Sequence, residues 1–160
     1  VTGGCGSVSI ERLDWNRFGD LVFDLYGKIK QAYKVDVIVG VGKSGLIPAA
    51  ILAKKLGVDE YYAITVKFYD EGKPPQRLFE EPKISHIEIG SLDGKNVLVV
   101  DDFAHTGSTL REVVKTLKGR GAMGVRCAVV ALREDAKLIP DYYAMKFTGC
   151  AIFPWDIEVK

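Results

Sequence analysis

A chain of 160 residues, 48% hydrophobic and 27% charged, is one domain's worth of sequence and can bury a core without metal or disulfide staples. Its aliphatic content excludes disorder, and its composition excludes collagen-like and mucin-like chains. With 22 basic and 21 acidic residues the formal charge is +1; this argues against a nucleic-acid or anionic-membrane surface, so an anionic ligand needs a local site.

The first ten residues hold no basic segment followed by an apolar one, so no signal peptide is expected, and Thr2 to Gly6 reads as frayed. Phe18, Leu21, Val22, Leu25 and Ile29 recur at helical spacing and predict a helix over about 15–33. Residues 35–39 read as a short strand, broken by Gly40-Val41-Gly42-Lys43-Ser44-Gly45. A second helix over about 46–56 carries Pro48 in its first turn. Tyr61 to Val66, β-branched and aromatic, predicts a strand.

Residues 67–86 are charged, interrupted by Pro74 and Pro75, and without period, which predicts a flexible arm. Order returns at Ile87-Glu88-Ile89, and Asp93-Gly94 marks a turn. Asn96 to Val100 is an aliphatic run that fits a central parallel strand. Leu110, Val113, Val114 and Leu117 give the next helix its apolar face, and Val125 to Leu132 is a further buried strand. Aromatic pieces from about 140 to 160 are expected to cap one end of the sheet as a small hood. The expectation is an α/β fold: one domain over 1–160, an open, mostly parallel sheet flanked by helices.

Cys5, Cys127 and Cys150 are odd in number and unpaired in spacing, so neither a disulfide framework nor a zinc site is expected. No apolar run approaches the roughly 20 residues that span a bilayer. A reducing cytoplasm is the expected setting.

The chemistry concentrates in Val97 to Leu110, where a buried strand ends in Asp101-Asp102 and a short loop opens a helix. In open α/β sheets ligands bind beyond the carboxyl ends of strands, and a helix N-terminus offers free N–H groups to phosphate. Thr106, Ser108 and Thr109 add hydroxyls, and Gly107 permits close backbone approach. The two acids repel phosphate and must face sugar hydroxyls or a hydrated Mg²⁺. Together they describe a site for a ribose 5-phosphate. Two rivals share parts of this pattern. Gly40, Gly42 and Gly45 formally match a dinucleotide-binding loop, with Asp59 or Glu60 as its ribose acid. A phosphorelay receiver also pairs aspartates, but needs a third acid and a lysine in an order absent here.

Val97 to Leu110 resembles the 5-phosphoribosyl pyrophosphate (PRPP) signature of the type I phosphoribosyltransferases: apolar strand, two acids, short loop, then Thr-Gly-x-Thr. Val39 to Ala49 is similar to that family's pyrophosphate loop, and Val66 to Pro82 resembles its catalytic arm. Phe153-Pro154-Trp155-Asp156 is similar to the hood of the xanthine and hypoxanthine-guanine branch, which points to a 6-oxopurine.

The resemblance implies Mg²⁺-dependent transfer of a phosphoribosyl group from PRPP to a purine base in purine salvage, with homo-dimers or tetramers common. Gly42, Lys43 and Ser44 would bind pyrophosphate, with Tyr69 and Arg77 of the arm also touching PRPP. Asp101 and Asp102 would hold ribose hydroxyls and Mg²⁺, directly or through water, and Ala104, His105, Thr106, Gly107, Ser108 and Thr109 the 5′-phosphate side. Arg133, Ile152, Phe153, Trp155 and Asp156 would frame the base. Departures from the family pattern are visible. Lys43-Ser44 stands for the usual Arg-Gly, Arg133 for a base-recognising lysine, Cys150 lies near the place of a stacking aromatic, and His105 stands for an acid beside the base's N7. A neutral imidazole at 105 could accept a proton near pH 7. The same fold also serves as a PRPP- or nucleotide-sensing regulator with little catalysis.

Overall fold

The computed structural model describes residues 9–68 and 78–156. A six-stranded sheet has the order β4-β3-β2-β5-β6-β7, and a separate two-stranded ribbon pairs β1 with β8. The strands are β1 (Ile10–Arg12), β2 (Val37–Val41), β3 (Glu60–Lys67), β4 (Lys83–Ile87), β5 (Asn96–Ala104), β6 (Gly124–Arg133), β7 (Tyr142–Phe147) and β8 (Cys150–Ile152). All main-sheet pairings are parallel except β3 with β4.

Helices α1 (Trp15–Ala32), α2 (Leu46–Leu56) and α3 (Ser108–Gly119) cover the faces. Asp14 caps α1 by accepting the Arg17 N–H at 2.7 Å. Its buried stripe is Phe18, Leu21, Val22, Leu25 and Ile29, the residues whose spacing predicts the helix. These join α2 and alternate residues of β2, β5 and β6 in one core cluster. The intervening residues, such as Val37, Val39, Val97 and Val99, pack on the other face with Leu110, Val113 and Leu117 of α3. β2 is buried along its whole length, which explains its unbroken apolar run.

Several expectations are corrected. β2 lies two residues beyond the predicted 35–39, and β4 occupies 83–87, the end of the expected arm, because its residues pair with β3. β5 runs on through Asp101 and Asp102 to Ala104, since β6 continues alongside it and pairs Phe103 with Ala131 and Ala104 with Leu132. β7, placed in the hood by sequence, is an edge strand of the main sheet. Ile10 to Arg12 form a strand against Cys150 to Ile152. Cys150 is disulfide-bonded, against the expectation from the odd cysteine count, whereas Cys127 is free and buried. Among the described residues no helix is long and apolar enough to cross a membrane.

Candidate functional site

β2 and β5 are adjacent and parallel, yet the chain leaves them in opposite directions. From β2 it passes through α2 to β3; from β5 it passes through α3 to β6, on the opposite face of the sheet. The two loops therefore diverge at a topological switch point, where a crevice opens beyond the strand ends. The loop after β2 is Gly42 to Gly45, and the loop after β5 is His105 to Gly107.

The first loop is held by backbone. Gly42 has φ +61°, a conformation suited to glycine, and donates its N–H to Ile64 O at 2.8 Å. A Cβ on Gly45 would lie 2.3 Å from Val41 O and 2.9 Å from Val100 O, so only glycine fits between the two strand ends. Lys43 is exposed on this turn and Ser44 half-buried.

The second loop enters α3 through Gly107, at φ +87°. The N-cap Gly107 has no side chain with which to cap α3. Thr106 Oγ1 lies 2.9 Å from Ser108 Oγ and accepts the Ser108 N–H at 3.3 Å. Leu138 donates its N–H to Thr106 O at 3.2 Å and braces the loop from behind. An open cavity of about 150 Å³ is lined by Phe68, Asp101, Phe103 and the run from Ala104 to Leu110. Its wall thus contains one carboxylate, one imidazole, several hydroxyls and a helix N-terminus.

Asp101 and Asp102 are both half-buried. Asp101 Oδ1 accepts the Asp102 N–H at 2.9 Å, and Asp102 Oδ1 accepts the Phe103 N–H at 2.8 Å. Desolvation, then the charge of Asp102, pushes the Asp101 carboxyl well above the usual carboxylate range. Desolvation raises Asp102 too, with Asp156 adding a smaller push. Two desolvated carboxyls this close favour a shared proton or a bound cation. Among the described residues no three His, Cys, Asp or Glu side chains cluster around a metal position. The pair nevertheless suits Mg²⁺, which characteristically takes one or two carboxylates and completes its shell with substrate oxygens and water.

His105 lies beside Arg133 at the end of β6 and near the ring of Phe103, with ring centroids 6.3 Å apart and the planes tilted by 40°. Arg133 in turn grips Asp135, Nε donating to Oδ1 at 2.6 Å and Nη2 donating to Oδ2. Desolvation, then the Arg133 charge, lowers the His105 pKa, with Asp135 opposing them. Phe68, Phe103 and Asp135 belong to this site's surroundings, and sequence reasoning passed over all three.

The hood residues sit apart from the cavity wall. Phe153 is 1% exposed and packed in the core against Phe18, so its side chain is unavailable to a ligand. Trp155 stacks on Phe153 at 4.9 Å and meets Phe18 at 5.0 Å; its indole N–H is buried with no hydrogen-bond partner. Asp156 Oδ2 accepts the Phe153 N–H at 2.9 Å and closes the turn. Ile152 is half-buried on β8. Tyr69 and Arg77 lie outside the described residues. Of the two acids the dinucleotide alternative offered, Glu60 is taken by Lys95 Nζ, at 3.0 and 2.8 Å to its two oxygens, and by the Tyr62 hydroxyl at 2.9 Å.

Comparison with known proteins gives a consistent picture. A family model for the phosphoribosyl transferase domain matches residues 11–160. The chain is 31% identical over 127 residues to a xanthine-guanine phosphoribosyltransferase of Cereibacter sphaeroides, covering 77% of this chain and 70% of that one. It is 37% identical over 106 residues to the transcriptional regulator GfcR 1 of Methanosarcina barkeri, covering 66% of this chain but spanning only 50% of the regulator's length. Among solved structures, a purine phosphoribosyltransferase from Pyrococcus horikoshii superposes with a TM-score of 0.80 at 35% identity, over 94% of this chain and 96% of that one.

Proposed function

Because this chain belongs to the phosphoribosyl transferase family, we propose that it moves the 5-phosphoribosyl group of PRPP onto a ring nitrogen of a purine, with 6-oxopurines favoured. The observation that carries this reading is the cavity beyond β5, whose wall holds the half-buried carboxylate of Asp101 and the amino end of α3, with Asp102 next along the strand. A terminal phosphate and a pair of sugar hydroxyls are the two groups that such walls suit together. The purine follows from the named activities of the relatives in Cereibacter and Pyrococcus.

In this reading Thr106 to Thr109 hold the 5′-phosphate, with Gly107 letting the backbone close in. Asp101 and Asp102 accept from the ribose hydroxyls. Gly42, Lys43 and Ser44 meet the pyrophosphate from the facing loop, and Lys43 contributes a point charge rather than a fork. The base then lies against the loop at His105, on the side of Arg133. The ring nitrogen forms a bond to C1 as the C1–O bond to pyrophosphate breaks. The electron pair leaves with pyrophosphate, and the nitrogen's proton ends on that product or in solvent. Charge at C1 grows in the transition state as it does in glycoside cleavage, and the carboxylates beneath the sugar stabilise it. Asp101 and Asp102 would hold Mg²⁺, which would supply neutralisation of the departing charge.

A second reading is favoured by the GfcR relatives: a PRPP or nucleotide sensor of the same fold. The two part on one assay, in which the protein meets PRPP, Mg²⁺ and hypoxanthine, guanine, xanthine or adenine in turn. Pyrophosphate release with one base establishes transfer. Saturable PRPP binding with no release from any base establishes the sensor.

A further inference from the structure

The connection from β6 to β7 joins two parallel strands through residues 134–141 without a helix. Such crossovers usually take a dozen or more residues and carry a helix that covers the sheet. Among the described residues α3 is the only helix on its face, since α1 and α2 pack into the opposite core. Beside α3, where a crossover helix would lie, the fold leaves a trough of about 220 Å³. Its walls are Leu110 and Val114 of α3 and the run from Leu138 to Asp141, over a floor of Val125 and Cys127 from β6. The trough backs directly onto the phosphate loop, because Gly107 and Leu110 line both it and the cavity beyond β5. Leu138 donates its N–H to Thr106 O at 3.2 Å, and a Cβ on Gly107 would lie 2.4 Å from Leu138 Cβ. Leu138 is therefore at once a wall of the trough and the rear support of the loop. It is 37% exposed, and Ile139 58%, so the lip of the trough presents aliphatic surface to solvent. Two lining residues are charged. Arg111 is paired with Glu81 at 3.0 Å. Asp141 Oδ2 accepts the Cys127 N–H at 2.8 Å, while Oδ1 has no hydrogen-bond partner among the described residues.

We propose that this trough is a second ligand site, for a flat, largely apolar bicyclic ring that carries an N–H, and that its occupancy firms the phosphate loop in front of it. Size decides the occupant. An apolar cavity of roughly 150 Å³ takes benzene, so a trough of about 220 Å³ suits two fused rings. One turn of a partner's helix, about 10 Å across and 5.4 Å in pitch, needs roughly 420 Å³ and does not fit. The aliphatic walls take the ring faces, and the N–H donates to Asp141 Oδ1, a charge-assisted bond in a mostly apolar setting. A ring behind Leu138 holds that residue against Gly107, and so holds Thr106 to Ser108 where a 5′-phosphate meets them. The site rests on the trough alone; its effect on PRPP rests on the transfer reading, in which this loop binds phosphate.

The test uses the full chain, labelled with carbon-13 at methyls and nitrogen-15 at amides, and indole as the probe. Indole should shift the methyls of Val114, Val125, Leu138 and Ile139 saturably, and with them the amides of Thr106 to Ser108. Indene, which has the same shape without the N–H, should bind about tenfold more weakly. Asp141→Asn, which exchanges one acceptor for a donor, should remove that difference. Val114→Phe, which fills the trough from α3, should abolish indole binding with the remaining amide spectrum unchanged; Asp141→Asn, at the surface, carries the test if that variant does not fold. Saturating indole should lower the PRPP Kd about fivefold, and PRPP should lower the indole Kd by the same factor. Trough methyls that do not saturate, equal affinity for indole and indene, or loop amides and a PRPP Kd that ignore indole overturn the proposal. So does indole displaced by raising the protein concentration, which makes the trough a contact between copies. Indole that saturates the trough and shifts the loop amides in a chain that binds no PRPP supports the site and refutes the transfer reading, so the two failures are distinguishable.

Discussion

Gly107→Ala is the sharpest perturbation of the phosphate loop, because its cost can be worked from geometry. Gly107 has φ +87°, and an added Cβ would lie 2.4 Å from Leu138 Cβ and 2.7 Å from Leu138 O. Holding an L-residue in that left-handed region costs roughly 1–2 kcal/mol, and forcing a methyl into filled space costs about 1–3 kcal/mol. The sum of about 2–5 kcal/mol lowers the melting temperature by roughly 5–20 °C in a chain of this size. Any part of the strain relieved by movement of the loop reappears as lost phosphate binding, because the same residue opens α3. Calorimetric melting and PRPP titration on one sample therefore read both parts of the cost. In a Leu138→Gly background, which removes the Cβ contact but not the carbonyl or the backbone strain, the same substitution should cost about 1 kcal/mol less. A Gly107→Ala protein that melts within about 2 °C of the parent and binds PRPP equally well would refute the reasoning.

Asp101→Asn should raise stability at neutral pH while removing PRPP binding. The folded Asp101 carboxyl titrates above its unfolded value, through desolvation and then Asp102. Its contribution is therefore most favourable below the ordinary carboxylate range, near pH 4, and is lost as pH rises through the raised folded value. In urea unfolding the variant's advantage should grow from pH 4 to pH 8, and an advantage constant with pH would contradict the assignment. Burial, followed by the charges of Asp141 and Asp101, pushes the Cys127 thiol up to about 12. Cys127 should stay unalkylated in the native protein at pH 8 and react once it unfolds, as peptide mapping would show; rapid native labelling would contradict its burial.

The parts of the fold that rest on local patterning were legible in the chain. Helix α1 declared itself through Phe18, Leu21, Val22, Leu25 and Ile29, and β2, β5 and β6 through aliphatic runs buried on both faces. What escaped depends on pairing between distant segments. β1 and β8 are three residues each, too short to show a period, and form only because Ile10 meets Cys150 across the fold. β4 reads as part of a polar arm until its register with β3 is known. The loop from Asp101 to Thr109 was visible because strand, acids, small residues and helix start are contiguous. Asp135 was not, since its link to His105 runs through Arg133, 28 residues from the histidine. Phe103 was hidden by the assumption that the strand stops at Val100, whereas pairing with β6 carries it to Ala104.

The most direct measurement of the central claim compares the parent chain with the doubly neutralised Asp101→Asn, Asp102→Asn variant, supplied with PRPP, Mg²⁺ and the base the parent accepts. Pyrophosphate and nucleoside monophosphate are quantified together, and circular dichroism checks that the variant is folded. Transfer through the carboxylate pair predicts one nucleotide per pyrophosphate from the parent and loss of both products in a folded variant. A folded variant that turns over near the parent rate would contradict it.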